Sequence, residues 1–484
     1  MSEELEKIRR KLRRYTFESK MGICYFYGIK LMQENYIISK SKNMILPWEL
    51  ELFCILSIMS GTEINDKTFT SHNDPQMLRI LTTIRNYCHP HYTESFDLDD
   101  FLMVTAQQQF HSQHDIRLDL FRYHYLFHYK NDSLDLSKIF KDNFGYDYSE
   151  IMEAAWVICI SSKVQKVPNS FLQYVYSKYD HIYSLFTKTR EEHILIQNKL
   201  SDNINNYYYG LKSIEIYPFI QEKDEVFFPL PHLLIPATTK SLLSKLTRNN
   251  NELRNLIGKN AFEDYLKYLL ESSEYYEEVI PEKKYTISKH QTSLSPDVMT
   301  YYNDTCIFFD SKMYEPSLSL REFCKEKKET DTKTFAKYIV KMYNQIKNFI
   351  NGKFYPFSQK KDFNKENIFG VIVQQENHYI SREKIYMTVS AQLSIDYHSD
   401  EMKYIRSHIK IIDFTEIEEV SLSGHGYDKY LLNQCNVPEE WNSVSFINNK
   451  ISGHFTKEYQ KFNDYLKHVI DSFTDIALEE YQYN

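Results

Sequence analysis

The chain has 484 residues, too many for one ordinary domain, so two or three are expected. A formal net charge of −8 excludes a non-specific polycation, and any nucleic-acid site has to be a local patch. Forty tyrosines against 11 glycines exclude a flexible low-complexity protein.

Residues 1–210 read as a mainly helical recognition or regulatory domain. Leu5, Ile8, Leu12 and Tyr15 fall at helical spacing, with Arg9, Arg10, Lys11, Arg13 and Arg14 around them. That basic helix fits phosphates or, as the default, is the solvated face of an amphipathic helix. Pro47-Trp48-Glu49 suits a helix start, with Pro and acids in the first turn. Asp147-Tyr148-Ser149-Glu150 is a capping box before a buried helix over Ile151 to Ile160. Cys88, His89, His91, His111, His114, His124 and His128 cluster in this half. His124 and His128, four apart, can share a helix face toward zinc, but the spacings fit no finger and ordinary histidines are the default.

Residues 211–257 read as hairpin and linker. Ile214 to Ile220 and Val226 to Phe228 flank Glu222-Lys223-Asp224, and Pro229, Pro231 and Pro236 then stop regular structure. Ser241 to Leu246 suits a short helix, and the boundary falls near Asn249-Asn250-Asn251.

Residues 258–415 carry the chemistry. A helical run opens at Asn260, with Phe262, Leu266, Leu269 and Leu270 as its apolar stripe. Asn260-x-x-Glu263 is itself a helix-capping pattern, so Glu263 has a structural reading beside any functional one. Glu278 to Ile287 follows as a strand. Val298 to Tyr302 and Thr305 to Phe309 are apolar runs on either side of Asn303-Asp304, a pair suited to a two-residue hairpin turn. That turn pairs Tyr302 with Thr305, Met299 with Phe308 and Asp297 with Asp310. The Cβ atoms of the two aspartates would then lie about 4.5–5.5 Å apart, where like charges repel. Lys312, two residues past Asp310, projects from the same strand face. A divalent cation between the carboxylates gives this arrangement a reason to exist. Asp331 to Ile350 reads as a second helix and Ile368 to Val373 as a further strand, completing the order α-β-β-β-α-β.

Element order and residues together resemble the PD-(D/E)XK nuclease superfamily, the restriction-endonuclease-like fold. Pro296-Asp297 matches its PD element and Asp310-Ser311-Lys312 its (D/E)XK element. Glu263 stands where the family has an acid on the first core helix. Gln345, followed by Phe349, is similar to the Gln-x-x-x-Tyr element of some members, with Phe in place of Tyr. The resemblance covers roughly a third of the chain. It implies Mg²⁺, with Mn²⁺ able to substitute, held by Asp297, Asp310, the Ser311 carbonyl and Glu263. It implies catalytic roles for Glu263, Asp297, Asp310, Lys312 and Gln345, with Lys312, desolvated beside Phe308, positioning or deprotonating the attacking water. Products would carry a 5′-phosphate and a 3′-hydroxyl.

Residues 321–365 hold twelve positive charges against five negative, net +7. Lys333, Lys337 and Lys341 stand off the apolar stripe of the second helix and read as a phosphate-tracking surface, with a solvated face as the alternative. Gly258-Lys259-Asn260 and Gly352-Lys353-Phe354 both fail as Walker A loops. Ile409 to Phe414 can extend the sheet, and residues 416–484 read as a C-terminal helical extension, with Tyr459, Phe462, Leu466, Val469 and Ile470 at helical spacing.

The expected fold class is thus α+β multidomain: a mainly α-helical N-terminal half and a C-terminal α/β restriction-endonuclease-like domain with a mixed central sheet. The expected function is a metal-dependent endonuclease, DNA favoured over RNA as partner, in restriction or anti-phage defence. A homodimer or a role as accessory defence subunit fits that reading. The alternatives are a catalytically silent nucleic-acid- or protein-binding adaptor on a nuclease-like fold, and a helical interaction protein whose hairpin matches by accident. Seven cysteines without a Cys-x-x-Cys pair point to a reducing compartment. Glu3, Glu4 and Glu6 lead into no apolar segment, and runs such as Leu52 to Met59 are too short to span a bilayer. A cytoplasmic protein without a membrane partner is expected.

Overall fold

A computed structural model describes residues 2–33, 45–61, 63–88, 103, 115–163, 169–201, 207, 210–289, 291–322, 324–434 and 455–482. His89, His91, His111 and His114 lie outside the described residues. The chain forms two compact units, one of Met1–His124, Ser137–Arg248 and Tyr465–Asn484, the other of Tyr125–Leu136 and Asn249–Asp464. The division departs from the expected segments. Residues 211–248 belong to the first unit, where their strands are paired, and do not act as a linker. The C-terminal segment is shared. On the helix Lys457–Gln482, Tyr459 and Phe462 are buried residues of the second unit, Leu466 and Phe473 of the first.

The first unit is helical around the segment Pro47–Ile58, whose residues from Leu50 to Ile58 are all buried. A helix so apolar on every side has to lie inside a core. Its start is held by the Glu49 carboxylate, which accepts the Leu46 N–H at 3.0 Å and pairs with Arg85. Leu5, Ile8 and Leu12 of the helix Ser2–Leu12 join this core, which leaves its basic residues on the outer face. A small sheet completes the unit: β1 (Thr187–Thr189) runs parallel to β2 (Phe219–Glu222), which pairs antiparallel with β3 (Glu225–Phe227). Lys223, at φ +56°, makes the turn. Ile214 and Ile216 fall in the short helix Ser213–Ile216 rather than a strand, and Pro236 lies within the helix Leu234–Thr238.

The second unit is built on a five-stranded mixed sheet in the order β10-β9-β8-β7-β4. Its strands are β4 (Glu278–Pro281), β7 (Val298–Tyr302), β8 (Thr305–Lys312), β9 (Ile368–Gln374) and β10 (Ile409–Asp413). β4, β7 and β8 pair antiparallel, and β8, β9 and β10 run parallel. The β7–β8 register pairs Tyr302 with Thr305 and Val298 with Phe309. Asn303 supplies the positive φ, +52°, that closes the turn. β8 is central and buried along seven of its eight residues, as suits a strand covered on both faces.

The expected strand Glu278 to Ile287 is two strands. Pro281 has no N–H to continue the ladder. The chain leaves the sheet there and enters a separate hairpin, β5 (Lys284–Ser288) with β6 (Gln291–Leu294). The second core helix, Lys325–Ile350, starts six residues before the expected Asp331. It lies so close to the sheet that a Cβ on Gly370 of β9 would sit 2.4 Å from Met342 Cγ. No helix among the described residues is long and apolar enough to cross a membrane. Cys24, Cys54, Cys159, Cys306 and Cys324 are free thiols.

Candidate functional site

Three local devices bring the site residues together. The β7–β8 turn is the first, since its register carries Asp297 opposite Asp310, one step beyond the Val298–Phe309 pair. The base of the β5–β6 hairpin is the second. Lys283 N–H donates to Ser295 Oγ at 2.8 Å and Ser295 N–H to the Lys283 carbonyl at 2.9 Å, so the hairpin delivers the chain directly into Pro296-Asp297.

The third is the first core helix, which does not start at Asn260. The helix Asn251–Ile257 is capped by Asn250, whose side chain accepts the Leu253 N–H at 2.9 Å. It continues through a π-helical turn, Gly258–Phe262, into Glu263–Ser272. Asn260 donates to the Leu256 carbonyl, so the capping reading of Asn260-x-x-Glu263 is overturned. A π turn widens the helix by one residue and re-aims the side chains that follow, and such turns gather at functional sites. At Gly258 the helix passes the end of β8 so closely that a Cβ would lie 3.2 Å from Met313 Cβ.

The centre of the site is an ammonium among oxygens. Lys312 Nζ forms an ion pair with Asp310 Oδ2, donates to the Ser311 carbonyl at 2.8 Å and lies 3.9 Å from Asp297 Oδ2. Asp297 Oδ2 also accepts the Ser311 N–H at 2.6 Å. Asp310 Oδ1 takes a second ammonium, Lys341 Nζ, at 3.0 Å. The Asp297 and Asp310 side chains are 5% and 2% exposed, Lys312 19% and Lys341 48%. Lys312 lies over the Tyr338 ring, 5.4 Å from its centroid, and Tyr338 takes the place expected for Phe308. Phe308 packs instead against Phe349 and Phe354.

The acids titrate apart. Burial works to raise the Asp310 carboxyl, but Lys312 and Lys341 outweigh it and hold it below the ordinary value. Burial and the Asp310 charge raise Asp297. Burial, Asp297 and Glu282 push Glu263 up to about 8. Glu282, in the break between β4 and β5, is itself raised by its burial and feels Asp310, Lys312 and Lys341. Lys312 is held above its ordinary value because Asp310 and Asp297 overcome the effect of burial. In this arrangement the two carboxylates favour the ammonium form of Lys312.

The expected residues divide accordingly. Asp297, Asp310, Ser311 and Lys312 come together. Glu263 shares their field, but no group of three or more His, Cys, Asp or Glu is gathered to hold a metal among the described residues. Gln345 touches none of the acids: its Nε2 donates to the Leu294 carbonyl at 3.0 Å and so anchors the segment leading to Asp297. Lys333 and Lys337 are exposed on the second core helix, whereas Lys341, expected beside them, turns into the site. Reading the sequence missed Glu282, for which an acid just after a strand-ending proline was the signal, and gave Tyr338 only as one of the aromatics interleaved with the lysines of the second helix, not as a neighbour of Lys312.

The donor set suits a hard divalent cation. Two carboxylates and a backbone carbonyl converge on one cationic centre, which the Lys312 ammonium fills. Comparison with protein-family models, with curated proteins and with solved structures finds no match to this chain.

Proposed function

We propose that the chain is a metal-dependent nuclease, hydrolysing the phosphodiester bonds of nucleic acid, DNA in preference to RNA, on a restriction-endonuclease-like second unit. The observation that carries this reading is the convergence of Asp297, Asp310 and the Ser311 carbonyl on a single buried cation position. Mixed sheet, flanking helices and the placing of Pro296-Asp297 and Asp310-Ser311-Lys312 on adjacent strands support it. Asp297, Asp310 and the Ser311 carbonyl would hold Mg²⁺, which supplies charge neutralisation at the scissile phosphate and a more acidic bound water.

The chain's own residues do the rest. Lys312, an ammonium between the two carboxylates and over Tyr338, offsets phosphate charge and positions the attacking water. Glu263, with a carboxyl raised to about 8, is placed to hold or release a proton near neutral pH. Gln345 keeps the Leu294–Asp297 segment in place.

The test is incubation of the purified protein with plasmid, single-stranded DNA and RNA, in Mg²⁺ or EDTA. Cleavage is expected in Mg²⁺ and absent in EDTA, and Asp310→Ala is expected to lower its rate by about 10³-fold or more. Unchanged cleavage by Asp310→Ala ends the assignment. Binding without cleavage in either Mg²⁺ or Mn²⁺ selects the silent adaptor.

A further inference from the structure

Lys341 enters the charged cluster from a helix. It comes from the second core helix, which packs closely on β9 at Met342 and Gly370, and its side chain is 48% exposed while its ammonium reaches Asp310. It takes Asp310 Oδ1 at 3.0 Å while Lys312 takes Oδ2, so a single carboxylate carries two ammoniums. Lys312 also reaches Asp297 at 3.9 Å and the Ser311 carbonyl at 2.8 Å, so it occupies the position a cation held by these groups would take, whereas Lys341 competes only for Asp310. Among the described residues the Lys341 ammonium is hydrogen-bonded to Asp310, with Glu282 and Asp297 in its field, and a flexible stem with three rotatable donors can turn outward at little cost. Turned outward, it joins Lys337 and Lys333, exposed at successive four-residue steps, about 6 Å apart along the helix axis. A row of ammoniums ending at a buried carboxylate is a track for a phosphate backbone.

We propose that Lys341 is a displaceable counter-ion of Asp310. Its ammonium holds the carboxylate until a divalent cation takes it, and then passes to a phosphate of the nucleic acid. The inference rests on the nuclease reading and adds to it a positioning residue that couples the two ligands. A cation that releases Lys341 strengthens nucleic-acid binding, and by linkage nucleic acid strengthens cation binding by the same factor.

The full-length protein is titrated with Mn²⁺ alone by calorimetry, then with a duplex oligonucleotide in Ca²⁺ at several salt concentrations. Lys341→Met is expected to bind Mn²⁺ about five- to tenfold more tightly than wild type, because that competitor for Asp310 is gone. The same variant binds the oligonucleotide more weakly, and its slope of log affinity against log salt is smaller by about one. Lys341→Arg restores competition and weakens Mn²⁺ binding again. Lys337→Met lowers the salt slope and leaves Mn²⁺ affinity at the wild-type value. Equal or weaker Mn²⁺ binding by Lys341→Met, with wild type binding the ion, overturns the counter-ion role and leaves the nuclease reading standing. Absence of Mn²⁺ binding in wild type overturns both.

Discussion

Arg190 in the first unit and Asp310 in the second are both buried charges with two partners of opposite sign, and the likeness stops there. Arg190 pairs with Glu63 at 2.9 Å and Glu222 at 3.2 Å, and donates to the Gly61 carbonyl at 2.6 Å. Lys20, fully buried, reaches Glu63 at 2.7 Å. Burial alone would raise the Glu63 carboxyl, but hydrogen bonds from Arg190 and Lys20 pull it down to about 2. Every charge in that knot is answered by another within it. Around Asp310 two ammoniums meet one carboxylate, Lys312 reaches Asp297 only at 3.9 Å, and burial holds Asp297 and Glu263 above their ordinary values. The first arrangement holds helices and a strand together. The second leaves two buried acids without a close ion pair of their own, and under the proposed reading that is what distinguishes a cation site from a structural ion cluster of the same residue types.

The largest test of that contrast removes a charge from the satisfied cluster. Arg190→Ala leaves Glu63 and Glu222 facing each other without their common partner, and is expected to cost about 3–5 kcal/mol in a urea unfolding titration. A loss below ~1 kcal/mol would show the knot to be solvated and would remove the distinction. Next in size is the response to cation. Mn²⁺ at a hundred times its dissociation constant should stabilise wild type by about 2.7 kcal/mol. Arg190→Ala should gain the same increment and Asp310→Asn none, as read by thermal unfolding. An increment that survives in Asp310→Asn places the ion elsewhere.

A further test is in pH. Glu63 titrates at about 2 in the folded chain against an ordinary 4.5, so the folded state binds fewer protons between those values. Its contribution is complete above pH 4.5 and is lost as pH falls toward 2. Glu63→Gln should flatten the acid limb of the stability curve across that window. An unchanged limb would assign acid unfolding to other groups.

The β7–β8 register was readable because it is local. Asn303-Asp304 closes the turn, and once a two-residue turn is set every cross-strand pair follows, Asp297 opposite Asp310 included. The apolar stripe of the second core helix was equally plain, and Phe335, Ile339, Met342 and Ile346 are buried. The break at Pro281 was less so, because Tyr285 and Ile287 continue an alternation that serves a hairpin as well as a sheet. The π turn before Glu263 left no trace in the spacing of Phe262, Leu266 and Leu269. One extra residue in a helical turn, beside the close packing at Gly258, shifts the helix in a way that periodicity cannot report.

By itself, the order of residues determined the turn at Asn303-Asp304, the pairing of two aspartates across it, and the alternation that puts Lys312 on the face of Asp310. These depend on contacts between residues within about fifteen positions of each other. Only the tertiary structure decided that Lys341 leaves its row of lysines for Asp310, that Gln345 binds a backbone carbonyl, and that the Lys312 ammonium reaches both aspartates. Each of those outcomes depends on how deeply a carboxylate is buried and which ammonium reaches it first. Burial is a property of packed elements, and a linear pattern of charges does not contain it.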